Sequence, residues 1–133
     1  MRGLMKIAVE YGVQVHVARL PEGMLGAWVP SKMRIYIDLA LTFNERRSVI
    51  AHELGHVHYG HRCDSGPNER QADAFAAQLL IDPKDYAMLE RISTDAHYIA
   101  DELGVTTEVV HDFRRFCLQD GSGVYAGDRG ARS

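Results

Sequence analysis

His52-Glu53-Leu54-Gly55-His56 is the segment around which the fold of this chain is built. Two histidines four residues apart on a helix lie on one face, so both imidazoles can bind the same metal ion. Glu53 lies between them and points to the open side, where its carboxylate can act on a metal-bound water molecule. The segment therefore predicts a helix that carries two metal ligands and a general base.

A third protein ligand is needed, because a catalytic zinc site has three protein ligands and leaves the fourth position to water. Proteases whose third ligand is histidine place this ligand six residues after the second histidine of the motif. A glycine lies three residues after that second histidine. Tyr59 and Arg62 occupy the corresponding positions here, so the chain lacks that pattern.

The segment 68–73 offers a glutamate instead. Glu69 and Asp73 lie one helical turn apart, on a shared face. Glu69 can bind the metal while Asp73 accepts the outer N–H of His52, which would hold that ring in one tautomer and raise its basicity. Taken alone, two such carboxylates are typical of the exposed edge of an amphipathic helix. Beside the histidine motif we favour the metal-binding interpretation.

The composition is that of an ordinary soluble domain, with 46% hydrophobic and 25% charged residues. A net charge of -3 provides no positive field for nucleic acid or an anionic membrane. We find no apolar run long enough to span a bilayer and no signal-peptide core at the N-terminus. Cys63 and Cys117 have no framework spacing and are expected to be reduced thiols, which predicts a cytoplasmic protein.

A single domain is expected over residues 1–120. Residues 121–133 contain four glycines and few apolar residues, and we expect them to form a flexible C-terminal tail.

Alternating apolar residues after a short N-terminal helix predict a small sheet. The helix is expected over residues 2–11 and a strand over the valines of residues 13–17. Two further strands are expected over 25–29 and 34–38. Because the strands are short and closely connected, we predict a three-stranded, mainly antiparallel sheet.

The rest of the chain has helical patterns. Thr42 and Glu45 form a capping box at the start of the motif helix, which should end just before Gly60. A second helix is predicted from near residue 68 to residue 81, and two or three more over residues 84–118. The predicted class is α+β.

These segments together resemble the ImmA/IrrE-type family of metallopeptidases, zinc proteases whose third ligand is a glutamate. The resemblance rests on residues 51–56 and 69–80, on the strand 35–38 and on Pro83, and covers roughly residues 5–118. Asp82 precedes Pro83, where the family normally has an apolar residue. The resemblance implies a small sheet packed on a zincin-like helical core, with a helical C-terminus.

The resemblance also implies an activity, that of a zinc-dependent endopeptidase. Zn²⁺ suits two imidazoles and one carboxylate, although Mn²⁺ is an alternative. The expected substrate is a protein, a DNA-binding repressor or transcriptional regulator encoded by a phage or mobile element. The oligomeric state stays open.

Further site residues are predicted from the resemblance and from side-chain chemistry. Zinc proteases of this shape pair the extended substrate with an edge strand, and the resemblance assigns this role to Ile35, Tyr36 and Ile37. A hydrogen-bond donor should stabilise the oxyanion. Four side chains are candidates on their chemistry alone: Tyr59, Tyr86, His97 and Tyr98.

Several features allow other interpretations. We expect His58 and His61 to be exposed residues at the helix end, favourable to its dipole, rather than a second metal site. Residues 99–113 have helix-turn-helix spacing, but the second helix carries little positive charge, which favours a structural helical hairpin over a DNA reader. The main alternative function is a regulatory protein that binds and sequesters a repressor without cleaving it.

Overall fold

The computed structural model describes residues 3–118, which form six α-helices, three strands and one short 3-10 helix. In chain order the elements are α1 Leu4–Glu10, β1 Gln14–Ala18, β2 Gly26–Val29, the 3-10 helix Pro30–Lys32, β3 Arg34–Asp38, α2 Phe43–Tyr59, α3 Gly66–Leu80, α4 Pro83–Ile92, α5 Ala96–Leu103 and α6 Thr107–Phe116. The predicted α+β class is confirmed. None of the described helices is long and apolar enough to cross a membrane.

The sheet has the strand order β1-β3-β2, and it is mixed rather than mainly antiparallel. β2 and β3 are antiparallel, joined by the 3-10 turn and by Met33, whose φ is 51°. β1 and β3 are parallel. Parallel neighbours need a long crossover connection, and here β2 with its flanking turns is that connection. The prediction failed because it assumed that consecutive strands are neighbours.

The central strand β3 has both of its edges paired. Ile35 and Ile37 are 0% and 1% exposed, and helix α2 packs against this strand and against β2. The backbone groups of β3 are already hydrogen-bonded to two neighbours, so it cannot add a substrate strand. The prediction that Ile35, Tyr36 and Ile37 pair with a substrate is therefore wrong. Ile35 and Ile37 belong to the core, and Tyr36 is half-buried.

The motif helix α2 begins and ends as its sequence predicts. The side chain of Thr42 accepts from the backbone N–H of Glu45 at 3.2 Å, and the backbone N–H of Thr42 donates to the Glu45 carboxylate at 2.8 Å. At the other end Gly60 is left-handed, with φ 68° and ψ 31°. The backbone N–H of His61 then donates to the carbonyl of His56 at 3.0 Å, which makes this end a Schellman motif.

Helix α3 starts at Gly66, two residues before the predicted start. Ser65 caps it, because its hydroxyl accepts from the backbone N–H of Asn68 at 3.2 Å. Pro67 is tolerated in the first turn, where its missing N–H would have no partner within the helix. The loop between α2 and α3 is consequently short.

The described residues form two compact units, 3–72 and 73–118, and the boundary falls within α3. The first unit contains the sheet and the motif helix. In the second, α4 packs on α5 and α5 on α6, with a core that includes Tyr86 and Phe113, whose rings are 4.9 Å apart. The single domain over residues 1–120 stays a prediction. The tail 121–133 lies outside the described residues.

Candidate metal centre

The last turns of α2 place His52 and His56 on one face, as the spacing predicts. Their ring centroids are 4.9 Å apart, with the planes nearly perpendicular at 84°. His56 is 3% exposed, whereas the His52 side chain keeps 21% of its surface accessible. One imidazole is therefore enclosed by protein and the other borders an opening.

Helix α3 brings Glu69 to both histidines. Oε1 of Glu69 lies 3.1 Å from Nε2 of His52, and Oε2 lies 2.8 Å from Nε2 of His56. One potential ligand atom from each of the three residues lies within 4.8 Å of the others. The three side chains predicted as metal ligands are thus assembled in one cluster.

The donor set of this cluster fits a zinc ion. Two neutral imidazole nitrogens and one carboxylate oxygen are the ligands that zinc takes in catalytic sites. With zinc–ligand bonds of about 2.0–2.1 Å in a tetrahedral arrangement, neighbouring ligand atoms lie about 3.3 Å apart. The separations of 2.8 and 3.1 Å between Glu69 and the imidazoles are close to that value.

Close packing of α2 against α3 brings Glu69 within reach. A Cβ added at Gly55 would lie 2.8 Å from Cα of Ala72, a distance that real Cβ atoms essentially never show, and 3.0 Å from its carbonyl oxygen. The absence of a side chain at Gly55, inside the motif, lets the two helix backbones touch. Because Ala72 follows Glu69 by less than one turn, this contact determines how near the carboxylate comes to the imidazoles.

The proposed general base, Glu53, is buried, with 8% of its surface exposed. Burial raises the pKa of its carboxyl to about 7, the nearby His52 acts to lower it, and the negative charges of Glu69 and Asp64 raise it. A carboxyl that titrates near neutral pH beside a cluster of metal ligands is typical of a catalytic acid or base.

Burial also lowers the pKa of His56, and the neighbouring His52 lowers it further. Both effects favour the neutral imidazole. Only a neutral imidazole has a lone pair to give to a metal, so the site favours the ligand form of His56.

A cleft of about 260 Å³ is lined by the three predicted ligands, by Glu53 and by residues of strand β2. Gly26 lets β2 lie against the motif helix, because a Cβ there would be 2.5 Å from Cγ1 of Val49 and 3.5 Å from Cγ of Glu53. Within the described sheet β2 is an edge strand, since β3 is its one partner. The strand that borders the cleft is β2, which the sequence analysis did not single out.

Asp73 lies in α3, one turn after Glu69, and is half-buried. Its hydrogen bond to His52 stays a prediction.

The oxyanion candidates lie in different environments. Tyr59 is 47% exposed at the end of α2. Tyr86 is fully buried, and its hydroxyl donates to Glu90 at 2.8 Å and accepts from Nε of Arg114 at 2.8 Å. Burial raises its pKa to about 12. Since the hydroxyl proton of Tyr86 is already shared with Glu90, its contacts are those of a structural residue.

The two remaining candidates lie in α5. His97 is exposed and contacts the hydroxyl of Thr107 at 3.1 Å, and Tyr98 is half-buried. The role of oxyanion donor stays a prediction for these residues and for Tyr59.

One neighbour of the ligands was noticed in the sequence but not assigned to the site. His61 is half-buried, and its Nδ1 lies 2.9 Å from Nδ1 of His56. The expectation of an exposed helix-end histidine is correct for His58 and wrong for His61. Gly60 was the available signal, because a left-handed glycine turns the chain back over the last helical turn.

Comparison with known proteins shows the fold and the family of this chain. A solved structure of a Mycobacterium tuberculosis transcriptional regulator shares the fold, with a TM-score of 0.65 at 20% sequence identity. The match covers 91% of this chain and 44% of the regulator, so this chain spans less than half of the regulator's length. No curated protein is a significant match. Residues 7–113 match Peptidase_M78, the IrrE N-terminal-like domain, and the chain therefore belongs to that family.

Proposed function

We propose that this protein is a zinc-dependent endopeptidase of the cytoplasm. The observation that carries the proposal is the convergence of His52, His56 and Glu69, beside a buried glutamate, on a cleft bordered by a sheet edge. Membership of a peptidase family supports the same reaction class. Mn²⁺ remains the alternative metal.

The proposed mechanism assigns a separate task to each residue. His52, His56 and Glu69 would hold zinc, which when bound lowers the pKa of water to about 7 and polarises the peptide carbonyl. The carboxylate of Glu53 accepts a proton from the attacking water and then delivers it to the nitrogen of the leaving amine. Because a nearby cation favours the ionised carboxyl, the loaded site keeps Glu53 available as the base.

Strand β2 is the proposed binding strand for the substrate. An extended peptide can add to an exposed sheet edge through backbone hydrogen bonds, and β2 has such an edge beside the cleft. Ala27 and Trp28 of this strand line the cleft, so they would contact the residues around the scissile bond.

The proposed substrate is a DNA-binding repressor or transcriptional regulator, the kind of target that the resemblance to the ImmA/IrrE-type family implies. The net charge of -3 argues against direct binding of this chain to DNA. The alternative, sequestration of an intact repressor, uses the same surface without the chemistry.

The proposed function predicts different results for two glutamate variants. Glu53→Gln should retain one zinc ion per chain but lower kcat for cleavage by about 10²–10⁴-fold, because the ligands remain and the base is lost. Glu69→Gln should lower both zinc content and cleavage. The matched control is Glu102→Gln, an exposed glutamate in α5, which should change neither.

Zinc content is measured by elemental analysis, and cleavage with purified candidate repressors from the same genome. Wild-type protein that binds no zinc when zinc is supplied would falsify the proposed metal centre. A stable complex with the intact repressor, formed by both the wild type and Glu53→Gln, supports sequestration instead.

A further inference from the structure

The ring of His61 links the metal ligand His56 to helix α3. Nδ1 of His61 is 2.9 Å from Nδ1 of His56, and Nε2 of His61 is 2.8 Å from Oε1 of Gln71. The centroids of the two rings are 5.1 Å apart at an interplanar angle of 66°. Both nitrogens of His61 are therefore in contact with a polar atom.

These contacts determine where the protons lie on two neutral rings. The side-chain oxygen of Gln71 can only accept, so Nε2 of His61 must carry its proton. A neutral imidazole has one N–H, and Nδ1 of His61 is then an acceptor. When zinc takes the lone pair of the other ring nitrogen of His56, Nδ1 of His56 carries the proton and donates to Nδ1 of His61, which leaves Nε2 for the metal. That nitrogen is the one 2.8 Å from Glu69, in the ligand cluster.

The backbone brings His61 to this position. In a Schellman motif the residue after the left-handed glycine returns over the last turn, and it commonly makes an apolar contact there. Helix α5 follows this rule, since Val105 after Gly104 is 1% exposed. Helix α2 has His61 at the corresponding position. The backbone N–H of His61 donates to the carbonyl of His56, and the His61 ring contacts the His56 ring.

The neighbouring Tyr59 stacks on His61, with centroids 5.5 Å apart and planes 15° from parallel. This stacking restricts rotation of the His61 ring. The orientation of His61 is thus restrained by its backbone, by Gln71 and by an aromatic neighbour.

We propose that His61, oriented by Gln71, is a positioning residue that holds His56 in the Nδ1–H tautomer with Nε2 available to the metal. The inference rests on the proposed metal centre of His52, His56 and Glu69. Residues that hydrogen-bond a ligating histidine typically raise metal affinity by about 10–100-fold.

Three variants separate the hydrogen bond from the bulk of the ring. His61→Phe keeps an aromatic ring but has no acceptor, and it should weaken zinc binding by about 10–100-fold. His61→Asn offers a side-chain oxygen near the position of Nδ1 and should recover most of that loss. Gln71→Leu removes the group that orients His61, so its affinity should lie between those of wild type and His61→Phe.

The control is His58→Asn, at the same helix end. It loses a contact of 2.7 Å with the hydroxyl of Tyr11 and should leave zinc affinity unchanged. Zinc dissociation constants come from competition with a chromophoric chelator, and circular dichroism identifies the variants that fold.

A second readout does not depend on activity. 1H–15N spectra of the zinc-loaded protein should show a slowly exchanging Nδ1–H on His56 in wild type, where it donates to His61, and a rapidly exchanging one in folded His61→Phe. An Nε2–H tautomer in wild type, or an unchanged zinc affinity in folded His61→Phe, would overturn the inference. A loss of zinc stoichiometry rather than affinity in His61→Phe would also overturn it, by making His61 a ligand.

Failure of the metal centre gives a different result. Wild-type protein without zinc overturns the proposed function, whereas a zinc-binding wild type whose affinity His61→Phe leaves unchanged overturns only the role of His61.

Discussion

Helix α2 and the C-terminal helices α4–α6 bury different kinds of side chain. The buried polar and charged residues among those described are all in α2: Ser48, Glu53 and His56. Helices α4, α5 and α6 bury aliphatic and aromatic side chains, and their one buried phenol, that of Tyr86, has two hydrogen-bond partners. Apolar burial stabilises a fold, whereas burial of an ionisable group opposes it.

This difference in buried side chains separates a contribution to stability, from α4–α6, from a contribution to the candidate site, from α2. The pKa values of Glu53 and Tyr86 are both raised by burial, to about 7 and about 12. Glu53 thus changes charge near neutral pH, while Tyr86 stays protonated. Apolar burial in α4, α5 and α6 stabilises the fold. Burial of Glu53 and His56 in α2 lowers stability but encloses groups that are proposed to act in the site.

The largest effect is expected from truncation in the C-terminal helices. Phe113 is 2% exposed and packs on Tyr86, so Phe113→Ala should lower the free energy of unfolding by about 3–5 kcal/mol. Zinc content per folded chain should not change. Urea unfolding and elemental analysis measure the two quantities. A loss below about 1 kcal/mol would mean that this side chain is not part of a close-packed core.

The burial of Glu53 should make the metal-free protein less stable as pH rises. The pKa of Glu53 is about 7 in the folded protein against 4.5 for an ordinary glutamate, so the unfolded chain releases its proton first. The stabilisation from the protonated carboxyl is complete below pH 4.5 and is lost as pH approaches 7. The change is about 3 kcal/mol.

Urea unfolding of the metal-free wild type and of Glu53→Gln between pH 4.5 and pH 7 tests this pH dependence. The glutamine variant lacks the titrating group, so its stability should fall less over that range. Equal slopes for the two proteins would contradict the burial of a titrating carboxyl in α2.

A smaller effect is expected where α2 contacts α3. Gly55→Ala places a methyl group 2.8 Å from Cα of Ala72 and should lower the free energy of unfolding by about 1–3 kcal/mol. The helices must separate, so zinc affinity should fall as well. The control Gln78→Ala, on an exposed face of α3, should change stability by less than about 0.5 kcal/mol. A stabilised Gly55→Ala protein, as helix propensity alone predicts, would exclude close packing here.

The smallest effects on the free energy of unfolding are expected at two helix ends with the same backbone geometry. Gly60 and Gly104 have φ values of 68° and 71°, and each alanine substitution should lower the free energy of unfolding by about 1–2 kcal/mol. Only Gly60→Ala should also weaken zinc binding, because the residue after Gly60 contacts His56. Equal zinc affinities in the two variants would show that the end of α2 has no role in the site.

The sheet shows where sequence patterns fail. The strand boundaries follow from local alternation and are close to those observed, but the sheet is mixed and not mainly antiparallel. Strand β3 lies between β1 and β2, so the segment 34–38 is central and β2 lies at an edge of the described sheet. Strand order depends on pairing between distant segments, and no periodicity within one strand encodes it.

The candidate metal centre likewise has features that the sequence predicts and features that it does not. The spacing of His52 and His56 and the burial of one helix face were predictable, because the α-helix has a constant period. The contact between His61 and His56 was not, since it needs the backbone reversal at Gly60 and a partner on α3. Gly55 was visible in the motif, but only its contact with Ala72 explains why glycine is needed there.

The sequence by itself determined the elements, their caps and the residue types of a metal centre, because short-range hydrogen bonding and side-chain periodicity act within a few residues. The tertiary structure alone decided which strand borders the cleft, how closely Glu69 approaches the imidazoles and which nitrogen of His56 faces Glu69. These three properties depend on distances between residues that are far apart in the chain, and only packing of one element on another determines such distances.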